Sequence, residues 1–342
     1  MGNMISVVGA GSWGTAIAML LAKKGLDVKL WVREKEILDK IRDTRENTEY
    51  LPGAILPDNI IVSDNMEYCC KDSEIVVIAA PSHVMRAVCL QMRDFISKEQ
   101  VIVSLTKGIE NDTLLRMSEV IKEIIPENEV CVISGPSHAE EVAKGIPTAV
   151  VASSQKRAVA EYVQDMFMTP LFRVYTNPDI VGVELGGALK NIIALGAGII
   201  DGLGLGDNTK AAVMTRGIVE MARLGESLGA RSTTFAGLSG IGDLIVTCTS
   251  MHSRNRRAGI AIGQGKSVEE VIGGTKMVVE GIRTTKSAYQ LAQRQKVEMP
   301  ITQEIYNLIF NKADIRDSVM KLTMRSKTHE MEDIAELSAF DW

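Results

Sequence analysis

The sequence predicts an α/β protein in which a doubly wound parallel sheet is followed by an all-helical segment. Three observations carry this. β-rich and helical runs alternate up to about residue 180, helical patterns dominate after it, and no low-complexity linker separates the two parts. A chain of 342 residues exceeds what one compact core usually supports, so two domains are expected. Residues 1–187 are assigned to the sheet domain and 188–342 to the helical one.

The elements follow in order. "MISVVGA" reads as the first strand and "SWGTAIAMLLAKKG" as a helix closed by Gly25. "LDVKLWV" is the next strand, then the charged helix "REKEILDKIRD" and a polar, Pro-containing loop through "YLPGAILPD". "EIVVIAA", "VIVSLT" and "VCVIS" supply further strands, each between helical or loop segments. Strand–helix alternation of this kind favours parallel pairing. "TAVVAS" and "LFRVYT" are expected at the sheet edge, with "QKRAVAEYVQDMF" as the helix between them. Helical periodicity then covers 182–203, 207–228, 253–264, 279–294 and 299–310. The closing "RSKTHEMEDIAELSAFDW" is charged and reads as a surface helix or mobile segment.

With 46% hydrophobic and 24% charged residues, the composition is that of an ordinary globular protein. A net charge of −5 argues against a nucleic-acid surface. The five cysteines lack CxxC spacing, which favours reduced thiols and a cytoplasmic setting over disulfides or a zinc site. No secretory signal is expected. The longest apolar stretch, "NIIALGAGIIDGLGLG", is too short and glycine-rich for a membrane span, which needs about 20 apolar residues.

Chemistry begins at "GAGSWG", where Gly9, Gly11 and Gly14 match G-x-G-x-x-G between a strand and a helix. In that context the first glycine permits the turn, the second admits a pyrophosphate, and the third lets the helix pack closely. The alternative is a purely structural tight turn. At the end of the second strand, Arg33 can accommodate a 2′-phosphate while Glu34 can bond ribose hydroxyls. The pair favours NADP(H) and leaves NAD(H) open; both could also be solvated residues of the next helix.

Four later stretches add to this. "SLTKGIE" puts Lys107 beyond a strand's carboxyl end, where doubly wound sheets bind ligands. "SGPSHAEE" adds a Gly-Pro turn and the Ser137 hydroxyl, although such segments commonly serve as turns and caps. "ELGGALKNIIALGAG" sets Lys190 within a strongly apolar helix, where desolvation would depress its pKa and suit it to acid–base work. A lysine snorkelling to the surface is the plainer possibility. "GLSGIGDLIVTCTSMHSRNRRAG" brings Asp243 between glycine-rich turns, and Ser253, Arg254 and Asn255 at a helix start suited to a phosphate.

In this order, "GAGSWGTAIA", "SLTKGIE", "GPSHAEE", "LKN", "GLSGIGDLIVTCTSMHSRN" and "VVEGIRT" resemble the bacterial biosynthetic NAD(P)-dependent glycerol-3-phosphate dehydrogenases, from residue 4 to about 320. The resemblance implies a Rossmann-type sheet domain, a helical substrate domain and a homodimer. It implies reversible hydride transfer between NAD(P)H and dihydroxyacetone phosphate, giving sn-glycerol 3-phosphate for glycerophospholipid synthesis. Carried onto matching positions, Lys190 would be the acid/base, Lys107 would polarise the carbonyl, and Asp243 would orient the lysine. Gly135, Ser137, Ser253, Arg254 and Asn255 would contact the substrate. Ser12, Trp13, Arg33, Lys107, Ala139, Arg254, Val278 and Glu280 would contact the cofactor. One residue departs from the family pattern: His138 stands where G-P-S-F-A has an aromatic ring, and is expected to be neutral filler. The remaining histidines are too scattered for a metal site, and none is expected.

Overall fold

The computed structural model describes residues 4–275 and 278–326. Its eight strands are β1 (Met4–Val8), β2 (Asp27–Trp31), β3 (Ile60–Ser63), β4 (Ile75–Ile78), β5 (Val101–Ser104), β6 (Val130–Ser134), β7 (Thr148–Ser153) and β8 (Phe172–Asn177). They form one sheet in the order β3-β2-β1-β4-β5-β6-β7-β8. Every pair is parallel except β6–β7, so the last two strands run opposite to the rest. This is the doubly wound sheet that the sequence predicts, with "TAVVAS" and "LFRVYT" at one edge. Its central strands are Val/Ile runs covered on both faces, as parallel sheets require. At the other edge, β3 has no counterpart among the expected strands; four residues alternating between buried and exposed give too short a pattern.

Seven helices flank this sheet: α1 (Ser12–Lys23), α2 (Lys35–Thr44), α3 (Met66–Cys70), α4 (Met85–Met92), α5 (Met117–Ile124), α6 (Ala139–Ala143) and α7 (Arg157–Phe167). The chain then becomes helical throughout. It continues as α8 (Ile180–Leu203), α9 (Gly206–Ser227), α10 (Ser232–Phe235), α11 (Asp243–Thr249) and α12 (Arg254–Gly263). After these come α13 (Val268–Gly273), α14 (Glu280–Gln295), α15 (Pro300–Phe310) and α16 (Ile315–Thr323). The charged segment expected at the chain end lies almost wholly outside the described residues.

α8 is the axis of the helical part. Asp179 caps it, accepting from Gly182 N at 2.9 Å through Oδ1 and from Arg231 N at 2.8 Å through Oδ2. Its first turn packs on the sheet, with Ile180 and Val183 against Val132 and Val151; from Leu185 onward it forms the helical core. It is the one described helix long and apolar enough to cross a membrane, and it is buried inside the protein.

Where α8 meets α12, glycines remove the side chains. A Cβ at Gly198 would lie 2.1 Å from Arg256 O and one at Gly259 2.1 Å from Leu195 O. Gly202 and Gly263 repeat the close approach one turn further on. The two backbones therefore touch, which fixes α12 along α8.

Candidate active site

The glycine turn is built as the sequence predicts. Gly9 has φ +115°, a conformation that side chains rarely adopt, and a Cβ there would lie 2.9 Å from Ala79 O. At Gly14 a Cβ would fall 1.9 Å from Gly9 O, so only glycine lets α1 pack against the turn. Gly11, the N-cap of α1, has open space where its Cβ would project. No side chain caps α1, which leaves its first-turn N–H groups available. An open face at the second glycine and free amides behind it fit the pyrophosphate of a dinucleotide. Ser12 and Trp13 open α1; Trp13 is half-buried and packs on the sheet core.

A brace under this turn was not foreseen. Buried Asn47 donates to Ala10 O at 2.8 Å and to Thr15 Oγ1 at 2.9 Å. It sits in the stretch just after the second helix, where nothing in the local pattern marks an asparagine as structural.

Arg33 and Glu34 are bonded to each other at the end of β2, with Arg33 exposed. The cation that favours a 2′-phosphate and the carboxylate that favours a ribose hydroxyl thus share one ion pair.

Lys190, in the third turn of α8, is 5% exposed and bonds the Asp243 Oδ1. Thr247 Oγ1 accepts from the same Nζ at 2.7 Å. Asp243 and Thr247 lie four residues apart on one face of α11, so both reach the lysine together. Asp243 Oδ2 accepts from Lys107 Nζ at 2.7 Å, and Lys107 also donates to Gly135 O at 2.9 Å. The result is a carboxylate between two ammonium groups, drawn from the sheet domain's loop and the helical core.

The glycine pair in "ELGGALKN" makes this possible. A Cβ at Gly186 would meet Ser239 O at 2.5 Å, and one at Gly187 would meet Ser134 Oγ at 2.5 Å. Without these side chains, the π-helical turn Leu238–Gly242 leading into α11 and the loop bearing Lys107 lie against α8, one turn from Lys190.

Burial pulls the Lys190 pKa down to about 7. Asp243 opposes the fall, while the Lys107 charge adds to it. A lysine balanced there holds both protonation states near neutral pH, which suits proton transfer in either direction.

Gly135 turns the chain at φ +138°, and its carbonyl also accepts from Ser137 Oγ at 2.9 Å. Ala139 opens α6 and is buried. Between them His138 has a buried Nε2 without a partner and a ring tilted against His252, centroids 5.7 Å apart. Burial first, then Lys190 and Lys107, lower its pKa against the pull of Glu140 and Glu141.

Ser253 is the N-cap of α12, its Oγ accepting from Arg256 N at 3.2 Å. Arg254 is exposed, and desolvation lowers its pKa, opposed by Glu280 and Glu140. Asn255 is also braced by its neighbours: Nδ2 donates to Asn191 Oδ1 at 2.8 Å, and Oδ1 accepts from Gly281 N at 2.8 Å. Its side chain ties α12 to α8 and α14. Val278 lies just before α14, half-buried. Glu280, the first residue of α14, accepts from Ser82 N at 3.0 Å and from Ser82 Oγ at 2.6 Å. Ser82, Thr247 and Asn191 escaped sequence reading because a lone small polar residue carries no periodic signal. Among the described residues no group of three or more His, Cys, Asp or Glu could hold a metal ion.

Comparison with known proteins bears on this geometry. Residues 4–160 match the model of the NAD-dependent glycerol-3-phosphate dehydrogenase N-terminus, and 179–320 match that of its C-terminus. A Pelotomaculum thermopropionicum glycerol-3-phosphate dehydrogenase [NAD(P)+] is 54% identical over 98% of this chain and 97% of its own. One from Bacillus cytotoxicus is 53% identical over 98% and 99%. The crystal structure of a Coxiella burnetii glycerol-3-phosphate dehydrogenase superimposes with a TM-score of 0.92 at 36% identity, covering 95% of this chain and 99% of that one. With both halves of the family matched in order, and the glycine cradle and lysine–aspartate centre in place, the chain belongs to the NAD(P)-dependent glycerol-3-phosphate dehydrogenases.

Proposed function

We propose that this dehydrogenase interconverts dihydroxyacetone phosphate and sn-glycerol 3-phosphate with Lys190 as general acid and base. The observation that carries the reading is the buried Lys190 bonded to Asp243, its pKa near 7, close to Lys107. The residues around Gly9–Gly14 would hold the dinucleotide, with Arg33, Ala139, Val278 and Glu280 completing the contacts. When bound, it supplies or accepts the hydride.

In the reducing direction the Lys190 ammonium gives its proton to the substrate's carbonyl oxygen and becomes the neutral amine. In the oxidising direction the amine takes the hydroxyl proton back. Asp243 holds the Nζ in place and sustains its positive charge. Lys107, held by Asp243 and Gly135 O, offers a second positive charge to the developing alkoxide. Arg254, the Ser253 hydroxyl and the first-turn amides of α12 would anchor the phosphate, so that binding energy far from the reacting carbon orients it. Asn255 would join them with its second amide N–H, while its bonds to Asn191 and Gly281 hold α12 in register. We place the enzyme in the cytoplasm as a homodimer that supplies glycerol 3-phosphate for glycerophospholipids, a role that rests on its family membership.

The test is NADPH and NADH oxidation at 340 nm with dihydroxyacetone phosphate, ketopantoate and a small β-keto acid in parallel. Turnover on dihydroxyacetone phosphate alone is expected; activity on a carboxylate instead overturns the substrate. Lys190→Ala should keep NADPH binding and lose about 10²–10⁴-fold in turnover. Retained turnover would remove Lys190 from its role.

A further inference from the structure

Positive charge gathers around the glycine turn from both parts of the chain. The sheet order sets β2 and β4 on either side of β1, about 10 Å apart. Arg33, following β2, and His83, following β4, therefore flank the turn. The helical part reaches the same rim through Glu280, whose carboxylate is bonded to Ser82 N and Oγ, the residue beside His83. Arg283 follows Glu280 by three positions on α14, on the same face, and is exposed. Partial desolvation, then the charges of Arg283 and Arg33, lower the pKa of His83, consistent with both guanidinium groups bordering it.

The carboxylates on this rim are already engaged. Glu34 is bonded to Arg33 and Glu280 to Ser82, while Arg254 and Arg283 offset the Glu280 charge. Arg33 alone is thus a half-neutralised receptor for a phosphate dianion. Arg283 on α14 brings a further positive charge, which acts on both His83 and Glu280.

We propose that Arg283 joins Arg33 in a two-domain site for the 2′-phosphate of NADP(H), so that the helical domain takes part in telling NADP(H) from NAD(H). The proposal rests on the dinucleotide reading above and adds a specificity residue to it. Guanidinium groups suit this task because their planar donors bind phosphate oxygens in pairs. With NAD(H), the ribose presents a hydroxyl instead, which Glu34 can accept, and Arg283 has no phosphate to meet.

The experiment is calorimetric titration of the full-length protein with 2′,5′-ADP and with 5′-AMP, which differ only in the 2′-phosphate. The wild type should bind 2′,5′-ADP more tightly. Arg283→Gln should weaken 2′,5′-ADP about tenfold and leave 5′-AMP within about twofold; Arg283→Lys should recover part of the loss. Arg33→Gln should show the same selectivity. Equal weakening of both probes by Arg283→Gln, or no weakening of either, overturns the assignment of Arg283. A wild type without preference for 2′,5′-ADP overturns the 2′-phosphate site as a whole, Arg33 included, while leaving the dehydrogenase reading to its own assay.

Discussion

Replacing Asp243 by Asn keeps the shape of the centre and removes its one negative charge, which makes the role of Lys190 measurable. Lys190 stands near 7 because burial lowers its pKa while Asp243, in direct contact, raises it. An opposite charge at about 4 Å contributes roughly 4 kcal/mol at an effective dielectric of about 20. At about 1.4 kcal/mol per pKa unit, losing it should lower the lysine by about 3 units, to around 4. Lys107, deprived of the same partner, adds repulsion in the same direction. Reduction needs the ammonium, so its rate falls as pH rises through this pKa, and the limb should move from near 7 toward 4. The ratio of kcat/KM in the two directions is fixed by the reaction's equilibrium, so both directions must shift together. The assay is kcat/KM against pH in both directions for wild type and Asp243→Asn, with NADPH binding as the control for folding. A uniform drop with the limb still near 7 would refute the reasoning and assign that limb to another group.

Three further outcomes are expected. Gly259→Ala should lower the melting temperature, by the equivalent of about 1–3 kcal/mol or more, and raise KM for dihydroxyacetone phosphate, because its methyl would strike Leu195 O at 2.1 Å and push α12 away. A normal melting temperature would show that α8 and α12 can separate cheaply. Buried Glu220, whose pKa burial raises to about 7 against bonds from Ile301 N, Thr302 N and Thr302 Oγ1, contributes stability that is full below about 4.5 and lost as pH rises through 7. Glu220→Gln should therefore flatten the stability difference between pH 5 and pH 8 in denaturant titrations, and an unchanged slope would exclude Glu220 as its source. Arg33→Ala should raise KM for NADPH at least several-fold more than KM for NADH; equal changes count against its reading of the 2′-phosphate.

The parts of this protein legible in its sequence are those with periodicity or with steric necessity behind them. Val/Ile runs and helical spacing gave β1, β2, β4 to β8 and the long helices, while β3 escaped because "IIVS" is too short to show a period. The glycine turn could be read because the packing at Gly9 and Gly14 tolerates no side chain. Lys190 stood out because charge in an apolar helix is costly. What joins it to Asp243 and Lys107 is not legible in the residue pattern itself and came only with the family resemblance, since the contacts arise between segments more than fifty residues apart. Asn255 shows the limit from the other side: it reads as a phosphate ligand at a helix start, and its bonds to Asn191 and Gly281, which tie α12 to α8 and α14, could not be read from the local pattern.

The glycine-to-glycine contact of α8 and α12 has a consequence for substrate size. Lys190 projects from one helix and the end proposed to hold the phosphate begins the other, and where the axes cross there is no side chain to trim or enlarge. The distance from the proposed proton donor to the proposed phosphate anchor is then set by two backbones in contact, a ruler that point substitutions along the seam can break but not lengthen. A longer or shorter phosphorylated ketone would have to be met by the side chains at the ruler's ends, the exposed Arg254 above all, while the span between those ends stays as the glycines fix it.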